Sequence, residues 1–311
     1  MYNSGQLVQY DKRSFLASGS GTTITNIYIV PFTVPREANF ISFLLVGPGG
    51  GGAGGVTGAI TTSRRGGGGG GAGAISSSIF PTKVLPSTIF LYLPGGGTGG
   101  AANTSGTTSQ AANILTTVPR STTINVATQL QTSAAGALGN VSGAGGAGGA
   151  ASTAAGYNAL AIGRNSIAGS TGTASGTAAA TNNNTLTAIV QGGCGGGSTN
   201  LGTPFAGGAL TTGNVNNIYS SGLTTTIITA AGVISGGAGA NGYDNFLNSK
   251  FNISEYPFIS TCGGGGGSID SGTGGAGGYS GLGSGGSGGG SGTTGGRGGD
   301  GGASFCLINW W

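Results

Sequence analysis

The apolar residues of this chain fall into short runs separated by long glycine-rich stretches. Residues 22–34 alternate β-branched and aromatic residues with polar ones, and Phe40–Val46 is a continuous apolar run of strand length. Both patterns are typical of β-strands, and the second is typical of a buried one. Further strands are predicted over 87–93 and at the end of the sequence, over 304–311.

Two prolines, Pro31 and Pro35, restrict the first strand to a sheet edge or divide it in two, because proline has no N–H for the ladder. Helix signals are nearly absent, since no window combines helical apolar spacing with good helix formers. Shorter strand candidates lie at 122–130, 185–191, 224–234 and 256–261.

The glycine-rich stretches between these strands keep a period of three. In 143–150 the sequence reads GAGGAGGA, and 295–303 consists of three Gly-Gly-X triplets. A flexible linker has no such period, whereas three residues per turn is the period of the polyproline-II helix. The Gly-Gly-X triplet pattern is interrupted near 280–284, which predicts a chain reversal there. The glycine blocks occupy 47–55, 66–74, 95–100, 143–149, 192–197, 263–267 and 272–302.

A helix of the polyproline-II type has no internal hydrogen bonds, so its backbone groups need partners outside it. Glycine triplets leave two of three helix faces bare, which allows neighbouring helices to approach and supply those partners. The sequence therefore predicts an all-β, non-α-helical fold in which a layered bundle of polyglycine-II helices is flanked by short β-strands at both termini. The predicted parts are a β segment over 1–46, the glycine scaffold with interspersed loops over 47–303, and a last strand over 304–311 that packs on the N-terminal part.

Composition argues against catalysis. Glycine supplies 75 of the 311 residues, charged residues supply 5%, and histidine is absent. Proton transfer in enzymes relies on histidine or paired carboxylates, so we expect no enzymatic activity, no cofactor and no metal site. Disordered chains combine low hydrophobicity with high charge, whereas 36% of these residues are apolar. We therefore expect an ordered chain that belongs to a larger assembly.

The formal net charge is +4, but the ten basic residues are scattered along the sequence. Phosphate binding needs several cations on one face, so no nucleic-acid partner is predicted. The first residues lack the basic end and apolar run of a secretory signal peptide, and no apolar run approaches the ~18 residues of a membrane span. We expect a protein made in a cytoplasm, without membrane insertion, that leaves by lysis or as part of a particle.

Residues 32–55 read FTVPREANFISFLLVGPGGGGAGG, which is a strand of the type F-x-V-P followed by an apolar strand that enters a glycine block. Residues 295–311 read GGRGGDGGASFCLINWW, in which glycine triplets enter a short apolar strand with a terminal aromatic. Both segments resemble the glycine-rich domains of bacteriophage tail-fibre proteins and adhesins. The resemblance covers about 30–100 and 262–311.

The resemblance implies a virion protein made in the host cytoplasm, whose partners are other virion subunits, either fibre or capsid proteins, and a host surface protein or glycan. Its expected function is that of a non-enzymatic adhesin of the virion surface or tail fibre, which binds a host receptor through loops between glycine-rich layers. Two alternatives stay open. One is a purely structural capsid, tail or filament component, and the other is an ice-binding protein.

The segments 103–142, 157–190, 198–231 and 243–261 contain less glycine and are predicted to be loops. Function concentrates in loops that a rigid scaffold holds, and aromatic residues supply contact area at interfaces. The receptor-contact candidates are therefore Tyr157, Phe205, Tyr219, Tyr243, Phe246, Tyr256 and Phe258. In the alternative interpretation, these aromatic residues plug the ends of the glycine layers.

The densest charge in the sequence belongs to Asp244, Lys250 and Glu255. A carboxylate pair could serve a glycosidase, but nothing nearby supports that chemistry, so a solvated loop is predicted. Cys194 and Cys262 each stand at the head of a glycine block. These similar contexts could place the two cysteines on neighbouring helices within bonding reach, although buried free thiols are the favoured interpretation.

Overall fold

Antiparallel β-sheet is the regular secondary structure of this chain. The computed structural model describes residues 28–118, 129–151, 160–167, 171–176, 190–211, 228–242, 244–246 and 258–311, and these residues contain no α-helix. The strands are β1 (Tyr28–Thr33), β2 (Phe40–Val46), β3 (Ile75–Pro81), β4 (Thr88–Leu93), β5 (Ala112–Leu115), β6 (Gln129–Ser133), β7 (Gly163–Ile167), β8 (Thr199–Asn200), β9 (Thr203–Pro204), β10 (Leu210–Thr211), β11 (Ile228–Thr229), β12 (Asp244–Phe246), β13 (Phe258–Ser260) and β14 (Phe305–Trp310). Thr82–Val84 forms a 3-10 helix between β3 and β4. The all-β, non-α-helical class predicted from the sequence is confirmed.

Two four-stranded antiparallel sheets pack face to face. Their strand orders are β1-β4-β5-β6 and β14-β2-β3-β7. Alternate residues of β2, namely Ile41, Phe43 and Leu45, belong to the core shared with β4, β5 and β6. The intervening residues Leu44 and Val46 pack on the opposite side, which explains why β2 is apolar at nearly every position. β1 is an edge strand, which suits Pro31.

Several strand predictions match closely. β2 has the predicted bounds, and β4 and β14 differ from the predictions by one residue at one or both ends. The strand predicted over 224–234 is wrong in length, because pairing stops at β11 and the chain turns at 233–236. β3, with the sequence ISSSIFP, was missed because three serines interrupt its apolar pattern. Residues 22–27, 122–128 and 185–189 lie outside the described part of the chain.

The glycine segments continue directly from the strands of the two sheets. β2 leads into 47–56, and the chain turns and returns through 65–74 into β3. The last glycine tract divides into 274–280, 284–292 and 295–303, with reversals at 281–283 and 292–294. The reversal near 280–284 agrees with the interruption of the triplet pattern. The strands of the two four-stranded sheets therefore lie at one end of the glycine segments and most of the tight turns at the other.

Hydrogen bonds between the glycine segments repeat every third residue. The Gly50 N–H donates to the Gly71 carbonyl at 2.9 Å, and one triplet later the Ala53 N–H donates to Gly68 at 2.9 Å. The other N–H groups of 47–56 donate in two further directions, to 296–302 and to 104–107. A β-ladder would instead direct alternate residues to two sides.

The carbonyl groups of 47–56 accept hydrogen bonds in three more directions. Their donors lie in 97–103, 136–139 and 286–292. Segment 47–56 is therefore bonded to six neighbouring segments, and the same count holds for 65–74 and 284–292. These three central segments also bond to one another, so their backbone groups are satisfied without a conventional sheet.

Glycine is required where two backbones approach this closely. A Cβ on Gly70 would overlap the carbonyl oxygen of Gly50, and one on Gly50 would overlap that of Ala137. Within the glycine segments, residues with side chains occupy positions where the neighbouring segments leave space for them. Ser287 is buried, and its Oγ accepts from the Cys194 N–H at 3.1 Å, whereas Arg297 points outward.

The central segments should therefore be intolerant of a single methyl group. Gly70→Ala places its Cβ against the Gly50 carbonyl, and we expect a loss of at least about 3 kcal/mol in the free energy of unfolding because backbone must move. Gly163→Ala is the matched control, since its nearest new contact is Ile79 Cδ1 at 3.4 Å. Urea unfolding of both variants measures the difference. Equal stabilities would contradict the close backbone packing.

Candidate binding surface at the turn end

The turns that face away from the two sheets form one surface, which we call the turn end. It consists of the turns at 57–64, 101–104, 140–143, 199–204, 233–236, 269–273 and 292–294. Several backbone positions there have positive φ, including the non-glycine residues Asn103, Leu201 and Ser235. Each turn reverses the chain within a few residues and so brings the following glycine segment back beside its neighbours.

Side chains join the turns to one another. The Thr57 N–H donates to Asn103 Oδ1 at 2.8 Å, and Thr57 Oγ1 accepts from the Gly295 N–H at 2.9 Å. Ser63 Oγ lies 2.9 Å from Asn200 Oδ1 and donates to it. These contacts connect four turns that are far apart in sequence, so the turn end is a cross-linked surface rather than a set of separate loops.

Arg64 is the centre of this cross-linking. Its side chain is only 1% exposed, although it carries a charge. Nη2 donates to Asp270 Oδ1 at 3.1 Å and to the Asp270 carbonyl at 2.9 Å, while Nε donates to Thr199 Oγ1 at 2.9 Å. Nη1 donates to the Gly58 carbonyl at 3.1 Å. The planar guanidinium thus ties three turns together, and its hydrogen bonds offset the cost of burying the cation.

The most exposed large apolar side chain at the turn end is Leu201, at 74%. It occupies the first position of a two-residue hairpin turn between β8 and β9, with φ 44°, and Gly202 follows with φ 85°. Such a turn favours Asn-Gly, because a leucine side chain is strained at positive φ. The chain therefore holds an apolar side chain in water at a position where its backbone conformation is unfavourable.

Other aliphatic side chains are exposed at this end. Val233 is 69% exposed, and Ile234 and Ile60 are also exposed. A Cβ on Gly236 would lie 3.7 Å from Ile269 Cβ, which places the turn at 233–236 beside the turn at 269–273. The surface thus combines exposed aliphatic groups with a rigid polar network beneath them.

The predicted aromatic contact residues are distributed differently. Phe205 follows the hairpin turn and is half-buried, with its N–H bonded to Ser268 Oγ at 2.6 Å. Phe246 and Phe258 are backbone partners in the antiparallel β12–β13 pair. Tyr157, Tyr219, Tyr243 and Tyr256 lie outside the described residues.

Asp244, Asp270 and Asp300 each accept a hydrogen bond that joins separate parts of the chain. Asp244 Oδ1 accepts from the Leu282 N–H at 2.8 Å, and Asp300 Oδ1 accepts from the Gly99 N–H at 2.7 Å. Glu255 and Lys250, which belong to the segment predicted to be a solvated loop, lie outside the described residues. Among the described residues, no group of three or more His, Cys, Asp or Glu residues could hold a metal ion.

The described part of the chain contains no helix long and apolar enough to span a bilayer. Neither protein-family models nor curated proteins match this sequence.

Sequence reasoning missed both Arg64 and Leu201 as notable positions. The Arg64–Arg65 doublet directly before a glycine block was visible, but nothing in the sequence distinguishes the buried arginine from the exposed one.

Arg64 and its neighbour provide a matched test of the turn network. Arg64→Met removes the hydrogen bonds to Thr199, Gly58 and Asp270, so we expect a loss of about 3 kcal/mol in the free energy of unfolding. Arg65→Met removes an exposed side chain whose hydrogen bond to the Ser142 carbonyl, at 3.2 Å, is also exposed, and it should cost less than about 0.5 kcal/mol. Chemical denaturation gives both values, and deuterium uptake at 199–204 should rise in the first variant alone. Identical behaviour of the two variants would show that Arg64 does not hold the turns together.

Proposed function

We propose that the glycine segments are polyglycine-II helices packed as a layered bundle. The main support is the threefold repeat of the hydrogen bonds, in which successive N–H groups of 47–56 donate to three different neighbours. Six neighbours around each central segment fit a helix with three residues per turn, because donors and acceptors then point in every lateral direction. The overlap expected from added Cβ atoms fits the same close packing.

NMR couplings across hydrogen bonds test this conformation directly. In a polyglycine-II bundle, the amides of Gly50 and Ala53 should couple to the carbonyl carbons of Gly71 and Gly68, and the amide of Gly51 to that of Thr107. The repeat along the segment should therefore be three residues. A repeat of two residues would indicate pleated ladders, and an aperiodic pattern would indicate irregular coil; either result would contradict the proposal.

We further propose that the chain is a non-enzymatic virion surface or tail-fibre protein that binds a host-cell receptor through the turn end. The observation that carries this proposal is Leu201, an apolar side chain kept 74% exposed at a backbone position that disfavours it. Unfavourable conformations persist where function requires them and the surrounding structure holds them. Here the β8–β9 hairpin is held by Arg64 and Ser63.

The scaffold suits adhesion for a mechanical reason. The turns lie on a bundle whose segments are bonded to their neighbours in several directions. The turns are therefore already ordered, and binding a partner costs little additional conformational entropy. The lack of histidine and the structural use of Asp244, Asp270 and Asp300 also favour binding over chemistry. Other virion subunits and a host surface protein or glycan are the proposed partners.

The variant Leu201→Asn tests whether the Leu201 side chain serves receptor binding or the stability of the fold. Asparagine tolerates positive φ, so the melting temperature should stay the same or rise slightly. Binding of the labelled protein to a panel of bacterial strains, measured by flow cytometry, should fall about tenfold because the apolar contact is lost. Ile162→Asn is the matched control, since Ile162 is 61% exposed beside β3 at the sheet end.

The outcomes distinguish the alternatives. A protein that binds no strain and does not block infection would favour a purely structural virion component. Full binding by Leu201→Asn, together with loss of binding on replacing Tyr219 or Tyr256 by alanine, would move the contact surface to the aromatic loops predicted from the sequence.

A further inference from the structure

Two thiols lie together inside the glycine bundle. The Sγ atoms of Cys194 and Cys262 are 3.8 Å apart, and both residues are fully buried. They are free thiols, and with Leu210 they form a small separate apolar cluster. The described residues around them include no further cysteine, since Cys306 packs against the core between the two sheets.

The backbones that carry these cysteines are direct neighbours. The Gly197 N–H donates to the Gly266 carbonyl at 2.9 Å, and both segments run from the sheet end to the turn end. Ser287 joins them near the thiols, since its Oγ accepts from the Cys194 N–H at 3.1 Å and donates to the Gly263 carbonyl at 2.5 Å. The two thiols are thus held in contact by a backbone hydrogen bond between their segments and by the Ser287 hydroxyl group.

We propose that Cys194 and Cys262 are the site of an intrachain disulfide that forms when the reduced protein meets a small-molecule disulfide such as oxidised glutathione. The first cysteine thiolate attacks one sulfur of the oxidant, which forms a mixed disulfide and releases one small thiolate. The second cysteine thiolate then attacks the protein sulfur of the mixed disulfide and releases the other. Overall the two cysteines lose two protons and two electrons, and the oxidant is reduced to two thiols.

The folded glycine bundle protects the two thiols from oxidants until the bundle opens. The hydrogen bond with the Cys194 thiol, together with burial, raises the pKa of Cys262 well above its usual range, so little thiolate is present at neutral pH. Oxidation should therefore be slow in the folded protein and fast while the chain is folding. Cys306 packs against the core between the two sheets, so folding does not bring it beside either of the other two thiols.

The bond would join two segments that flank the turn-end hairpin. Residues 194 and 262 are 68 positions apart, and the chain between them contains β8 to β13. A sulfur–sulfur bond requires the two atoms to approach by less than about 2 Å, which small side-chain rotations can supply. The chemistry does not depend on whether the turn end binds a receptor, so this proposal and the proposed function can fail separately.

The tryptic map makes the test direct. Cleavage after Arg164, Lys250 and Arg297 puts each cysteine in its own peptide, 165–250, 251–297 and 298–311. The denatured, reduced full-length protein is refolded in a buffer of reduced and oxidised glutathione, its remaining thiols are alkylated, and the non-reduced digest is analysed by mass spectrometry. We expect peptides 165–250 and 251–297 to be joined in most molecules. Random pairing among the three cysteines, or glutathione adducts on both Cys194 and Cys262, would overturn the proposal.

Variants and melting temperatures give the second readout. Cys194→Ala and Cys262→Ala should each abolish the joined peptide, whereas Cys306→Ala should leave it unchanged. Refolding with glutathione should raise the Tm of the natural chain and of Cys306→Ala by about 5–10 °C relative to the reduced protein, and dithiothreitol should reverse the rise. An equal rise in Cys194→Ala, or a fall in the natural chain, would contradict a native-compatible bond.

Discussion

The backbone amides of the glycine segments depend on neighbouring segments for their hydrogen bonds, and the rest of the structure follows from this dependence. The N–H groups of 47–56 donate in three directions, and its carbonyls accept from three others. Such an arrangement works only if backbones come close together, which excludes a Cβ at positions such as Gly50 and Gly70. Glycine loses more conformational freedom on folding than any other residue, so many mutual bonds are needed to offset that cost.

The two halves of the molecule are stabilised by different means. Between the sheets, Phe43, Phe80 and Ile114 form an ordinary apolar core. In the glycine bundle most buried side chains are small or polar, apart from Leu210 beside the two thiols, and Ser287 links two segments through its hydroxyl group. The sheets hold the glycine segments at one end, and the turn network that includes Arg64 connects turns at the other end. A bundle without an aliphatic core is thus tied at both ends.

The sequence predicts those features that depend on local patterns. The apolar run of β2 and the triplets of 295–303 signal their structures directly, because each pattern has a period that the backbone must follow. β3 has no such signal, since Ser76 and Ser78 are buried beside Gln131 and Ser133 of the opposite sheet and are satisfied there. The turn end could not be predicted, because contacts such as Arg64 to Asp270 join residues 206 positions apart.

Leu201 illustrates why a rigid scaffold matters for the proposed binding surface. A two-residue hairpin with leucine at positive φ is unfavourable on its own, and a loop free to relax would adopt another turn. Here Thr199 is bonded through its hydroxyl to Arg64 and through its backbone to the same residue, at 2.8 and 3.0 Å, so the hairpin cannot relax without breaking the turn network. Exposed aliphatic groups on Leu201 and Val233 then keep their positions in water. The backbone bonds of the glycine segments thus support, through Arg64, the exposure of one apolar side chain at the far end of the molecule.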